Sequence, residues 1–75
     1  MTTATPLRRV DVAGCHVAED VTAQGIKWRH YHQRPHSHSW VSGFDTFEAA
    51  RDDLAAKLDR EGRAAVAAQV RETSL

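Results

Sequence analysis

Five histidines, His16, His30, His32, His36 and His38, all lie in the first half of this 75-residue chain. Four of them form two His-x-His steps, His30-x-His32 and His36-x-His38, on either side of a segment containing Arg34-Pro35. If that segment is a turn, three imidazoles can come within the zinc–nitrogen bonding distance of about 2.0 to 2.1 Å. Imidazole suits copper and nickel equally well. The plainer arrangement places His30 beside Trp40 at the edge of a core and leaves His32, His36 and His38 as solvated turn residues. We expect that arrangement, with no bound cofactor. A histidine site for zinc or another transition metal, drawn from His30, His32, His36 and His38, is the alternative.

A second group has other chemistry. Lys27, Arg29 and Tyr31 alternate along one stretch, and Arg34 follows in the turn. Cations interleaved with an aromatic ring are what a nucleic-acid surface needs, the guanidinium for phosphate or guanine and the ring for stacking. Arginine, tyrosine and tryptophan also dominate the energetics of protein–protein interfaces. The two readings share the same four residues and differ in the partner.

Catalysis has little support. Ser37, Ser39 and Ser42 lie near the histidines, but no glycine elbow or phosphate loop accompanies them. Asp52 and Asp53 are adjacent, and adjacent residues on a helix point about 100° apart, which does not make a carboxylate pair. Cys15 is the single cysteine, so no disulfide framework exists within the chain, and without a surrounding motif it reads as a small buried hydrophobe. The first thirty residues hold no apolar run long enough for a signal-peptide core or a bilayer span, so a cytoplasmic protein without a membrane partner is expected.

Composition narrows the class further. Hydrophobic residues make up 41% of the chain, but twelve of them are alanine, so the core that can form is thin. A chain of this size buries only about 60% of its unfolded surface, which makes added burial by a partner or a second copy valuable. Formal net charge is zero, yet residues 1–44 carry +2 and residues 45–75 carry −2. Overall neutrality weighs against nucleic acid, whose binders draw affinity from releasing counterions over many basic contacts.

The elements that position these residues follow from periodicity. Residues 1–6 have none and are expected to form a flexible arm. Val10 and Val12, then Cys15 and Val17, alternate with polar residues, as one bulged strand or as a short hairpin about Ala13-Gly14. Glu19 to Gly25 reads as a polar connection. Residues 26–44 read as a β-hairpin with its turn at Gln33 to Ser37. Pairing His32 with His38 sets His30 against Trp40, Trp28 against Ser42 and Ile26 against Phe44, which gathers the large apolar side chains on one face. Lys27, Arg29, Tyr31, Ser39 and Val41 then occupy the other. Asp45-Thr46 is a helix start with Glu48 in the first turn. Phe47, Ala50, Leu54 and Leu58 form one stripe, opposite the charged set Arg51, Asp52, Asp53, Lys57 and Asp59. Gly62 ends this helix, and Arg63 to Arg71 makes a second, weakly apolar one that must dock on the sheet, on the first helix or on a second copy. The expected fold is α+β in a single domain spanning 7–75. Three or four antiparallel strands (7–44) precede a long helix (46–61) packed on one face and a short C-terminal helix (63–72).

The stretch from Trp28 to Leu58 is an aromatic-basic strand, then a return strand ending in Gly43-Phe44-Asp45-Thr46-Phe47-Glu48-Ala49, then a helix. It resembles two groups. One is the AP2-like arm-binding domain of tyrosine recombinases, whose sheet enters the DNA major groove. That resemblance implies DNA contacts by Lys27, Arg29, Tyr31 and Arg34. The other is the loose set of small phage and mobile-element α+β proteins, anti-CRISPR proteins among them, that bind and block a host protein. The expected function is a non-catalytic binding or regulatory module that engages a protein through its hairpin face and dimerises through its helical tail. DNA binding by the same face and a histidine metal site are the alternatives. If the hairpin histidines cluster, acid should weaken the fold.

Overall fold

A computed structural model describes residues 7–33 and 37–75. Four strands come first: β1 (Arg9–Val12), β2 (Cys15–Thr22), β3 (Gly25–Gln33) and β4 (His38–Phe44). Helices α1 (Phe47–Arg60) and α2 (Ala64–Arg71) follow. The strands form one antiparallel meander in the order β1-β2-β3-β4. The expected α+β architecture holds, with four strands rather than three. The arm at residues 1–6 and the turn residues Arg34, Pro35 and His36 lie outside the described residues.

Residues 9–18 form a hairpin, because Val12 pairs with Cys15 and leaves Ala13-Gly14 as a two-residue loop. Both loop residues have positive φ, 49° at Ala13 and 83° at Gly14, the geometry of a type I′ turn. Glycine adopts it freely, whereas alanine pays about 1–2 kcal/mol for it. Ala13→Asn restores the preferred Asn-Gly pair, and we expect thermal denaturation to shift upward by several degrees, about 4–8 °C per kcal/mol recovered. An unchanged melting temperature would show that Ala13 is not strained.

Glu19 to Thr22 does not form a connection. These residues extend β2, with Glu19 opposite Trp28 and Thr22 opposite Gly25, and only Ala23-Gln24 turns the chain. Thr22 makes that turn possible: its hydroxyl donates to the Gly25 carbonyl at 2.8 Å and accepts from the Gln24 N–H at 3.2 Å.

The β3–β4 register also differs from the sequence expectation. Gln33 pairs with His38, His32 with Ser39, Tyr31 with Trp40, His30 with Val41 and Arg29 with Ser42, one residue away from the pairing of His32 with His38. Trp28 pairs with Phe44, so Gly43 is an extra residue in β4, a β-bulge with φ 94°. The physical consequence is a redistribution of aromatics. Because side chains alternate, the shift carries Trp40 and Ser42 to the face of Arg29 and Tyr31, while Ser39 and Val41 move to the face of Trp28. The bulge then returns Phe44 to the Trp28 side. Ile26 loses its expected partner Phe44 and is 52% exposed opposite Val21.

Helix α1 starts at Thr46, whose hydroxyl accepts from the Ala49 N–H at 3.1 Å. It ends at Gly62, with φ 78°, in a Schellman arrangement: the Arg63 N–H reaches the Leu58 carbonyl at 2.9 Å and the Gly62 N–H reaches that of Asp59 at 3.0 Å. The expected stripe Phe47, Ala50, Leu54 and Leu58 is wholly buried, joined by Ala55. Trp28 meets Phe47 edge-on, with ring centroids 5.5 Å apart. Cys15 and Val17 of β2 complete this core, and Val10, Val12, Phe44 and Val66 pack at its margin. Helix α2 docks inside the chain, burying Ala67 and Val70 in the same core, and does not need a second copy for the purpose. Its far end is held by Arg51, which donates to the Thr73 carbonyl at 3.1 Å, and by the Arg71–Asp59 pair at 2.5 Å.

Candidate functional site on the open sheet face

Strand alternation gives the sheet two chemically distinct faces. The helix-covered face holds Trp28, His30 and His32. Both histidines are completely buried, where solvation was the expectation for His32. His30 Nε2–H donates to Asp53 Oδ2 at 2.7 Å, and Lys57 holds the same oxygen at 2.6 Å. His32 Nε2 pairs with Glu61 Oε2 at 2.8 Å. Asp53 therefore turns toward the sheet and does not belong to a purely solvated helix face. Both contacts fasten β3 to α1 and its C-cap, with the imidazoles fully buried and the carboxylates partly exposed.

Electrostatics fits a structural role. Burial pushes the His30 imidazole below its ordinary range, outweighing the opposite pull of Asp53. The cause is visible in the geometry: Nδ1 is buried with no hydrogen-bond partner among the described residues, so a second ring proton there would be an unsatisfied donor. Burial raises the Asp53 carboxyl, but hydrogen bonds from Lys57 and His30 win and hold it below the usual carboxylate range. Burial raises the Cys15 thiol, consistent with an inert core residue.

Among the described residues, no helix covers the opposite face. Arg9 and Asp11 of β1, His16, Ala18 and Asp20 of β2, Lys27, Arg29 and Tyr31 of β3, and His38, Trp40 and Ser42 of β4 share it by register. At its centre is an aromatic cluster. His16 stacks on Tyr31 at 5.1 Å with an interplanar angle of 18°, and Tyr31 meets Trp40 edge-on at 5.9 Å. His38 lies 5.9 Å from Tyr31 on the far side. The Arg29 guanidinium lies 4.3 Å from the Trp40 ring centroid, within cation–π range. Trp40 remains 51% exposed.

Of the expected site residues, Lys27, Arg29 and Tyr31 do lie together on this face, while Arg34 is outside the described residues. His16, Trp40 and His38 are additions. His16 was legible in principle, since Val10, Val12, Cys15 and Val17 alternating inward leave it facing out. Trp40 was not, because its face depends on register. The expected metal candidates separate: His30 and His32 lie under α1, His38 stands on the open face, and His36 is outside the described residues. Among the described residues no group of three or more histidine, cysteine, aspartate or glutamate side chains is placed to hold a metal ion.

No family model, curated protein or solved structure matches this chain. Among the described residues, no helix is long and apolar enough to cross a membrane.

Each described cation of the open face has a carboxylate within ion-pair distance. Lys27 pairs with Asp45, Arg9 is held bidentately by Asp11 at 2.8–3.0 Å, and Arg29 lies 3.7 Å from Asp20. The surface is thus aromatic and locally neutral. His16 is 8% exposed, and its Nε2 has no hydrogen-bond partner among the described residues. Burial and the nearby Arg9 and Arg29 keep it below the ordinary histidine range, against the weaker effect of Asp11.

Proposed function

We propose that this protein is a non-catalytic binding module that engages a protein partner through the open sheet face around Trp40. The half-exposed tryptophan carries the reading. It is backed by Arg29 and buttressed by Tyr31, and such rigid aromatic and arginine groups are the usual anchors of protein interfaces. Neutralised cations favour protein over nucleic acid, since paired basic groups have few counterions to release. DNA binding through the same face, as the recombinase resemblance implies, is the reading to be displaced.

The test uses a photo-crosslinking side chain at exposed Ser42, with parallel titration of a short mixed-sequence duplex at two salt concentrations. We expect one discrete adduct with a protein other than this chain, reduced at least tenfold in Trp40→Ala and Tyr31→Ala, little changed in Lys27→Ala and only weakly sensitive to salt, whereas an adduct of two copies of this chain alone counts against the proposal. Circular dichroism confirms that each variant folds. Duplex binding that falls steeply with salt and disappears in Lys27→Ala with Arg29→Ala overturns the proposal in favour of DNA.

A further inference from the structure

A meander has two edges, and here they differ in chemistry. β1 offers four residues, two of them the charged Arg9 and Asp11, and charge is a common guard against strand addition. β4 offers seven residues, His38-Ser-Trp-Val-Ser-Gly-Phe44, with no aspartate, glutamate, lysine, arginine or proline among them. Its one irregularity, the Gly43 bulge, lies near the end and leaves His38–Ser42 as a regular run whose outer backbone N–H and C=O groups pair with no described residue. We propose that this edge joins a second copy of the chain. Two antiparallel β4 strands then meet about a twofold axis in one continuous eight-stranded sheet.

The choice of a second copy follows from closure and charge. Pairing β4 with β1 of a neighbour would be head-to-tail, could use only the four residues of β1, and would leave an edge free to propagate. Pairing β4 with β4 consumes both permissive edges and stops. With the axis at Trp40, each Trp40 faces its copy, Ser39 faces Val41 and His38 faces Ser42, so no lysine, arginine or carboxylate meets its like. A tryptophan pair directly across two strands is a favourable contact. The two open faces become one surface with both Arg29–Trp40 pairs near its middle. This inference uses edge hydrogen bonding and does not rest on the partner reading. It also replaces the helical tail as the site of self-association, because α2 buries its apolar residues against the chain's own core.

The test is solution mass by light scattering and sedimentation across a wide concentration range. Wild type is expected at twice the chain mass. His38→Lys with Ser42→Lys alters two exposed positions and sets lysine against lysine twice across the axis, so the folded variant is expected at the chain mass. Mixing it with a His38→Glu, Ser42→Glu variant should restore the doubled mass as a mixed pair. A wild type that stays monomeric throughout, or a lysine variant that remains dimeric, overturns the proposal. Should the variants fail to fold, amide exchange in wild type decides: protection of β4 amides must rise with protein concentration, and concentration-independent exchange overturns the edge dimer.

Discussion

Phe47→Ala is expected to remove about 3–5 kcal/mol of stability, among the largest losses that core truncations bring. Phe47 is 2% exposed, meets Trp28 edge-on and has the Arg51 guanidinium 5.8 Å from its ring centroid. It is also the first residue of α1, directly after the Thr46 cap, so it ties the start of the helix to the middle of the sheet. A chain of this size at about 0.05–0.15 kcal/mol per residue has only about 4–11 kcal/mol in total. Much of the variant should therefore be unfolded under conditions where wild type is native. Urea denaturation checks this through the midpoint. A loss below about 1 kcal/mol would mean that the site collapses around the missing ring or that Phe47 is not in the core. Phe47→Leu, a smaller change of volume, should cost far less.

Acidification is expected to weaken the fold steeply below about pH 6.5, with His30 and His16 as the main groups. Both have folded-state values depressed by burial. Between the depressed value and about 6.5, the unfolded chain binds a proton that the folded chain refuses. Their contribution is thus complete above about 6.5 and is lost as pH falls, with a limiting slope of about 1.4 kcal/mol per pH unit for each histidine. Asp53 does not shape this window. Its folded value is also depressed, so its contribution persists above the unfolded carboxylate value of about 3.9 and is lost only below it. Urea midpoints at about pH 7.5, 6.5 and 5.5 measure the slope directly. In His30→Gln the side-chain amide can still donate to Asp53 but cannot titrate, and the slope should fall by about half. A flat wild-type profile would mean that His30 and His16 accept protons in the folded state as readily as in the unfolded one.

Crowding of histidines near one turn also led to an expectation of acid sensitivity, but the structure rests that expectation on a different ground, the burial of His30 and His16. His30 and His32 do not stand in a solvated turn. They are buried beneath α1, against Asp53 and Glu61, which lie 23 and 29 residues further along the chain. No local pattern reports a contact of that separation. Lys27, Arg29 and Tyr31 could be assigned to one face because they belong to a single strand, where alternation alone decides. Trp40 belongs to the next strand, and its face depends on how the two strands are aligned. Apolar pattern argued for one alignment, and the fold adopts another. Gly43 makes the difference: as a bulge it lets Phe44 serve the core while Trp40 leaves it for the Arg29 and Tyr31 side.

What the residues determine by themselves is local. The helix boundaries at Thr46 and Gly62, the stripe from Phe47 to Leu58, the strand character of residues 9–12, 15–18 and 26–33, and the burial of Cys15 all follow from interactions within a few residues or from a strict period. The tertiary structure decided the rest: the hairpin at Ala13-Gly14, the extension of β2 to Thr22, the β3–β4 register, the docking of α2 on the core, and the helix-free face on which Trp40 stands. Each of those depends on which distant surfaces bury one another. Burial free energy scales with the area removed from water between elements, and sequence spacing does not encode that area.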